Sequence, residues 1–154
     1  MERMSISSTA FKDGGSIPAR HTCDGRDLSP DLMWTGVPEK TKSLVIIMDD
    51  PDAPMGTWVH WVLYNVPKDK KGLLEGVPGK DVLEDGSLHG TTDSRKTGYG
   101  GPCPPRGPAH RYYFKLYALD KMLDLPAKAS KQEVEAAMEG HILGKGELMG
   151  KYGR

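Results

Sequence analysis

Two short stretches of this sequence gather the side chains that could do chemistry. "DPDAPMGTWVHWVLYN", residues 50–65, sets Asp50 and Asp52 in a proline-bounded turn just before an aromatic run that carries His60. "GYGGPCPPRGPAHRYYFKLYALD", residues 98–120, delivers His110 from a Gly/Pro-rich loop to the start of another aromatic run. Two imidazoles beside a carboxylate stay partly protonated near neutral pH and so offer donors to a phosphate or carboxylate ligand. The same residue types admit two other chemistries. Either histidine could act as the general base of a hydrolase, although no G-x-S-x-G elbow or other nucleophile accompanies them. Asp50, His60 and His110 are also acceptable in type as ligands of a single metal ion.

Whether these groups meet depends on the elements that carry them. The 19 glycines and 12 prolines are spread along the chain, which suits short strands joined by many turns. The clearest strands are 43–49, 57–66 and 110–119, rich in β-branched and aromatic residues, with weaker ones near the N-terminus, around 82–89 and at 146–152. "SKQEVEAAMEGH", residues 130–141, predicts a helix: Ser130 and Glu133 have capping-box spacing, and Val134, Ala137, Met138 and His141 form a stripe.

Side chains alternate across a strand. Trp58, His60, Val62 and Tyr64 are therefore expected on one face, with Val59, Trp61 and Leu63 on the other. His110, Tyr112, Phe114 and Leu116 share a face, and Leu44, Ile46, Met48 and Asp50 align with Asp50 at the end of an apolar stripe. A carboxylate there needs a partner. If the three strands are neighbours, Asp50, His60 and His110 meet at one end of the sheet, with Trp58 and Tyr112 as walls and "GGPCPP" as a rigid rim.

The totals bound the rest. At 154 residues the chain is read as a single domain, 1–154. Lys+Arg and Asp+Glu both number 21, and without a basic run nucleic acid is an unlikely partner. No secretory h-region opens the sequence and no run of about 18 apolar residues offers a membrane span, so a soluble, cytoplasmic protein is expected. Cys23 and Cys103 are too few for a disulfide scaffold and lack metal spacing, and no cofactor is expected. Plainer roles stand beside these. An isolated histidine on an apolar face is commonly a satisfied core residue, Asp52 in a Pro-flanked turn is an ordinary Asx-turn residue, and His21, His89 and His141 have no supporting constellation.

In their order and spacing, "DPDAP", "WVHW", "GPCPP" and "HRYYF" resemble the phosphatidylethanolamine-binding protein family, also called the Raf kinase inhibitor protein family. Cys23-Asp24-Gly25, Ser29-Pro30, Trp34 and "KTGYGGPCPP" are similar to its small bacterial and archaeal branch. The resemblance implies a mainly β fold, a β-sandwich-like pair of antiparallel sheets with one or two peripheral helices. It also implies a non-enzymatic small cavity that accepts phosphate, acetate or phosphoethanolamine-like groups, lined by Asp50, Asp52, Ala53, Pro54, Trp58, His60, Gly101, Pro104, Pro105, His110 and Tyr112. Family members restrain kinases or inhibit serine proteases, so either is an implied target. Animal members continue into a C-terminal helix that helps cover the pocket, whereas this sequence stops soon after "GELMGKY"; an open mouth, or one covered by the second subunit of a homodimer, is expected. The loop from Gly101 to His110 looks one residue longer than in animal members, with Cys103 near the rim. Cys23 and Cys103 both fall near the implied pocket and could bridge, while a cytoplasmic location favours reduced thiols.

Overall fold

The longest apolar run in the sequence becomes the most enclosed strand. In the computed structural model, which describes residues 1–154, this run forms β4 (Ser43–Asp50), and all eight of its residues are buried. A strand covered on both faces has no place for alternating polar residues. Around it a six-stranded sheet runs in the order β1 (Glu2–Arg3), β9 (Ile142–Tyr152), β8 (His110–Leu119), β4, β5 (Trp58–Pro67) and β7 (Leu88–His89). Every pair is antiparallel except β1 with β9. A smaller antiparallel sheet joins β2 (Ser5–Ser7), β3 (Leu32–Thr35) and β6 (Gly72–Leu73).

The two faces of β4 define two cores. Leu44, Ile46 and Met48 pack with Trp61, Leu63, Phe114 and Leu116 against Ile6, Leu32 and Trp34 of the small sheet. Val45 and Ile47 pack on the opposite side with Val62 and Tyr64, beneath Val134 and Met138 of α1 (Lys131–Met138). The result is the mainly β, sandwich-like arrangement the sequence led us to expect, with one peripheral α-helix and one short 3-10 turn at Ala19–His21. No helix is long and apolar enough to cross a membrane.

The three strongest strands are neighbours, in the order β8, β4, β5. Alternation holds along β4 and β8 but not along β5. Met48 pairs with Trp61 while Asp49 pairs with Val59, so His60 is an extra residue at a β-bulge. The bulge reverses the expected parity. Val59 joins Val62 and Tyr64 under the helix, Trp61 and Leu63 enter the inter-sheet core, and His60 keeps to the side of Trp58. A second irregularity lies at Asn65, whose φ is 55° and whose buried amide bonds both backbone groups of Leu123.

Other boundaries moved for local reasons. The weak strand around 82–89 is only Leu88–His89, because Asp85 caps Ser87 in a tight turn closed by the Leu83 N–H on the Ser87 carbonyl. The capping box is present, with the Glu133 N–H donating to Ser130 Oγ at 3.1 Å and the Ser130 N–H to Glu133 Oε1 at 3.0 Å. The helix nevertheless stops at Met138, since Gly140 takes a φ of 82° and turns the chain out; His141 leaves the stripe and bonds Asp120 at 2.8 Å.

His89 is buried, and its Nδ1–H donates to the Lys80 carbonyl at 2.7 Å. That leaves Nε2 to accept from Trp61 Nε1–H at 3.0 Å in the core. Burial pushes the His89 pKa below its ordinary 6.5. Between the folded and unfolded values the unfolded chain binds more protons, so this contribution to stability is whole above 6.5 and is lost as pH falls below it. Replacing His89 by Phe strips the Trp61 N–H of its acceptor, and a loss of about 1–3 kcal/mol is expected at pH 7.5. Urea midpoints at pH 7.5 and 5.5 test this: the variant should lose stability at the higher pH yet decline less on acidification, and an unaltered acid decline would refute the assignment.

Candidate functional site

The end of β4 carries the carboxylate around which the site is built. Asp50 is 3% exposed, and both of its oxygens are engaged. Oδ1 accepts the Asp52 N–H at 2.8 Å, closing the turn at Pro51, and Oδ2 accepts the Nδ1–H of His110 at 2.7 Å. β8 delivers His110 because it runs antiparallel beside β4: Asp49 pairs with Tyr113, which leaves the first residue of β8 diagonally across from the last residue of β4, within reach of its carboxylate.

The bulge in β5 turns His60 toward the same place. Its Nδ1–H donates to the Gly100 carbonyl at 2.7 Å, and the Gly100 N–H returns a bond to the His60 carbonyl at 3.0 Å. A carbonyl can only accept, so the proton is on Nδ1 and Nε2 is left without a protein partner. The same holds at His110. Tyr112 stands between the rings, edge-on to His60 at 5.3 Å and stacked on His110 at 6.4 Å. Burial pushes the Tyr112 hydroxyl pKa up, reinforced by the charges of Asp50 and Asp52, so this phenol stays neutral.

Burial also lowers the His60 pKa, opposed by the Gly100 carbonyl and the charges of Asp50, Asp27 and Asp49. The expectation that both imidazoles are partly protonated near neutrality is therefore corrected for His60. Its pocket disfavours the cation until a ligand supplies negative charge.

These groups open into a cavity of about 650 Å³. Asp50, Ala53, Pro54, Trp58, His60, Gly101, Pro104, Pro105, His110 and Tyr112 all line it, with Trp58 40% exposed at the mouth beside the bare side chain of Met55. Asp52 does not. Its carboxylate is turned to the other side of β8, where it accepts from Arg111 Nε at 2.9 Å and Nη2 at 2.8 Å and from the Arg111 N–H at 2.9 Å. The hydrogen bonds from Arg111 lower its pKa to about 2. Sequence spacing groups Asp50 with Asp52, but one residue of the turn separates their directions.

The family resemblance placed Cys23 near the pocket, but sequence reasoning missed Asp27 and the turn at 92–97. Residues 19–27 pack behind the loop 98–105, where Asp27 Oδ1 accepts the Gly101 N–H at 2.8 Å and Tyr99 OH donates to the His21 carbonyl at 2.7 Å. Asp27 lies 74 residues from Gly101, so no local pattern links them. Thr92, Ser94, Lys96 and Thr97 form another side, folded by the Thr92 N–H on the Lys96 carbonyl at 2.8 Å; a polar turn was the only signal they gave.

Cys23 and Cys103 also line the cavity, and they form a disulfide with their Cα atoms 5.4 Å apart. The expectation of reduced thiols rested on cellular location and is overturned by packing: the Cys23 N–H donates to the Pro102 carbonyl at 3.1 Å, laying the two loops side by side. Neither imidazole is hydrogen-bonded to a hydroxyl or thiol, which leaves the general-base reading without a nucleophile. Nor does any group of three His, Cys, Asp or Glu side chains converge as a metal would require.

Comparison with known proteins matches residues 7–153 to the phosphatidylethanolamine-binding protein model. A UPF0098 protein of Methanothermobacter thermautotrophicus is 55% identical over 98% of this chain and 99% of its own length. The crystal structure of a phosphatidylethanolamine-binding protein homologue from Chlamydia trachomatis is similar at a TM-score of 0.91 and 38% identity, covering 100% of this chain and 99% of that one. Escherichia coli YbcL, described as a new member of the mammalian family, matches at a TM-score of 0.90 and 30% identity over 98% of each chain.

Gly101 is where the rim and the rear wall touch. A Cβ there would lie 2.3 Å from the His21 carbonyl and 2.3 Å from Asp27 Oδ1, and the first of these is backbone that cannot swing aside. Gly101→Ala should therefore destabilise the fold by about 1–3 kcal/mol through overpacking and displace the neighbouring Gly100 carbonyl from His60. A denaturant midpoint and the His60 ring resonances measure the two effects; wild-type values for both would show that the close approach is dispensable.

Proposed function

This chain belongs to the phosphatidylethanolamine-binding protein family, and we propose that its cavity binds the phosphate of a phosphorylated headgroup or side chain without catalysing a reaction. One observation carries the reading. Two imidazoles present unpartnered Nε2 atoms to a common cavity, each oriented through Nδ1 by a fixed acceptor, Gly100 for His60 and Asp50 for His110. A phosphate oxygen between them shares a proton with His60. While His60 is neutral its Nε2 accepts from a protonated phosphate, and once protonated it donates to the dianion; either way the complex holds one proton on that contact.

The cavity is larger than a bare phosphate needs and falls in the range of about 300–1,000 Å³ usual for organic ligands. Trp58 and Met55 at the mouth supply apolar surface for the group that bears the phosphate. On this reading, regulation of a kinase or inhibition of a protease follows from which phosphorylated partner the rim admits.

The proton bookkeeping gives the test. Anion binding favours the imidazolium and raises the His60 pKa, so affinity for inorganic phosphate should fall as pH rises through the bound-state value, by about tenfold per unit once both partners are deprotonated when free. Calorimetric titrations at several pH values, with His60 resonances followed in parallel, measure it. His60→Ala should weaken binding and flatten the profile. Phosphate binding that is indifferent both to pH and to His60→Ala would remove the proposal.

A further inference from the structure

The cavity wall contains a covalent bond that solvent can reach. Cys23 and Cys103 are both exposed, and they join segments 80 residues apart in sequence at the edge of the cavity. We infer that this disulfide is a site of thiol–disulfide exchange with small thiols, and that its redox state sets the shape and affinity of the pocket. The affinity arm rests on the anion-binding reading; the structural arm stands without it.

The two sides of the bond are held unequally. On the Gly101 side, non-covalent contacts remain after reduction: the Gly101 N–H on Asp27, the Tyr99 hydroxyl on the His21 carbonyl and the Cys23 N–H on the Pro102 carbonyl. Beyond Cys103 the rim keeps little, its backbone held by the Gly107 N–H on the Arg154 carbonyl at 3.4 Å. Pro104 is held by Arg154 Nη1 at 3.4 Å from its carbonyl, a long contact, and proline has no N–H to offer in return. Pro104 and Pro105 line the cavity, and Gly100, whose carbonyl orients His60, lies three residues before Cys103. Cutting the bond therefore frees Pro104 and Pro105 on the cavity wall that His60 shares and removes the covalent anchor three residues beyond Gly100, while both cores stay packed.

The chemistry balances with a thiol as co-reactant. A thiolate attacks one sulfur, a mixed disulfide forms, and the other cysteine leaves as a thiolate; a second thiol displaces the first as an external disulfide and two protons reach the cysteines. Arg154 chooses the direction. Its Nη2 pairs with Asp24 at 3.1 Å while its Nη1 lies 3.8 Å from Cys103 Sγ, so the remaining guanidinium donor favours Cys103 as the leaving thiolate and attack at Cys23.

The test uses the full chain with dithiothreitol and inorganic phosphate as probes. Reduction should leave the far-ultraviolet spectrum native, move the His60 ring resonances and weaken phosphate by about fivefold or more, the low end of ordinary coupling between two sites. Reciprocity then requires phosphate to make the disulfide harder to reduce by the same factor, read by thiol alkylation in glutathione buffers. A Cys23→Ser, Cys103→Ser double variant should match the reduced protein and ignore dithiothreitol. If the oxidised protein binds no phosphate, the function proposed above fails, and the His60 resonances alone decide this inference. Resonances and affinity unchanged on complete reduction would overturn it, as would global unfolding on reduction or a bond that resists millimolar thiol.

Discussion

A carboxylate at the end of a fully enclosed strand has to be paired, and the pairing of Asp50 organises everything around it. β4 cannot reach solvent on either face, so its last residue ends inside the protein. A bare charge there would be expensive, and the chain meets the need twice over, with the Asp52 N–H on one oxygen and His110 on the other. The first bond closes the turn that leads to Ala53 and Pro54, and the second fixes a ring at the start of β8. One local requirement thus sets two walls of the cavity.

The remaining walls come from loops that have no core of their own. The loop 98–105 gains rigidity from prolines, which restrict φ, and from glycines, which let it lie directly on residues 19–27. Its hold on the strands is the pair of bonds between Gly100 and His60. Since His60 occupies a bulge, it stands outside the regular pairing with β4 and is free to make that contact. The bulge is thus the junction between sheet and loop.

How much of this could be read from the sequence depends on the range of the interaction. Alternation along β4 and β8 was legible because those strands are regular, and it correctly aligned Asp50 with Met48 and His110 with Tyr112. On β5 the same counting put His60 with Val62 and Tyr64, which the bulge separates. His60 still reached the cavity because the irregularity displaces the residues after it and leaves its relation to Trp58 intact. Asp52 was misread for the opposite reason: its neighbour's direction says little about its own in a turn, and Arg111 claims it. Asp27 was out of reach, since its contact depends on two loops meeting across more than 70 residues of chain, whereas for Cys23 and Cys103 the family resemblance already left a bridge open.

The two histidines look equivalent in sequence, each beside an aromatic residue, yet the structure treats them differently. His110 is held by a carboxylate and His60 by a neutral carbonyl in a buried position that disfavours its cation. A pocket with two permanently charged imidazoles would attract any small anion and would demand a large desolvation penalty when empty. With His60 inclined to neutrality, the ring becomes a proton acceptor that a ligand must satisfy, and only a group able to bring or share a proton does so fully. Phosphate monoesters, whose second proton titrates near pH 6, suit that demand better than carboxylates, which have lost theirs by then. On the proposed reading, the burial of His60 is a selectivity device as well as a packing fact.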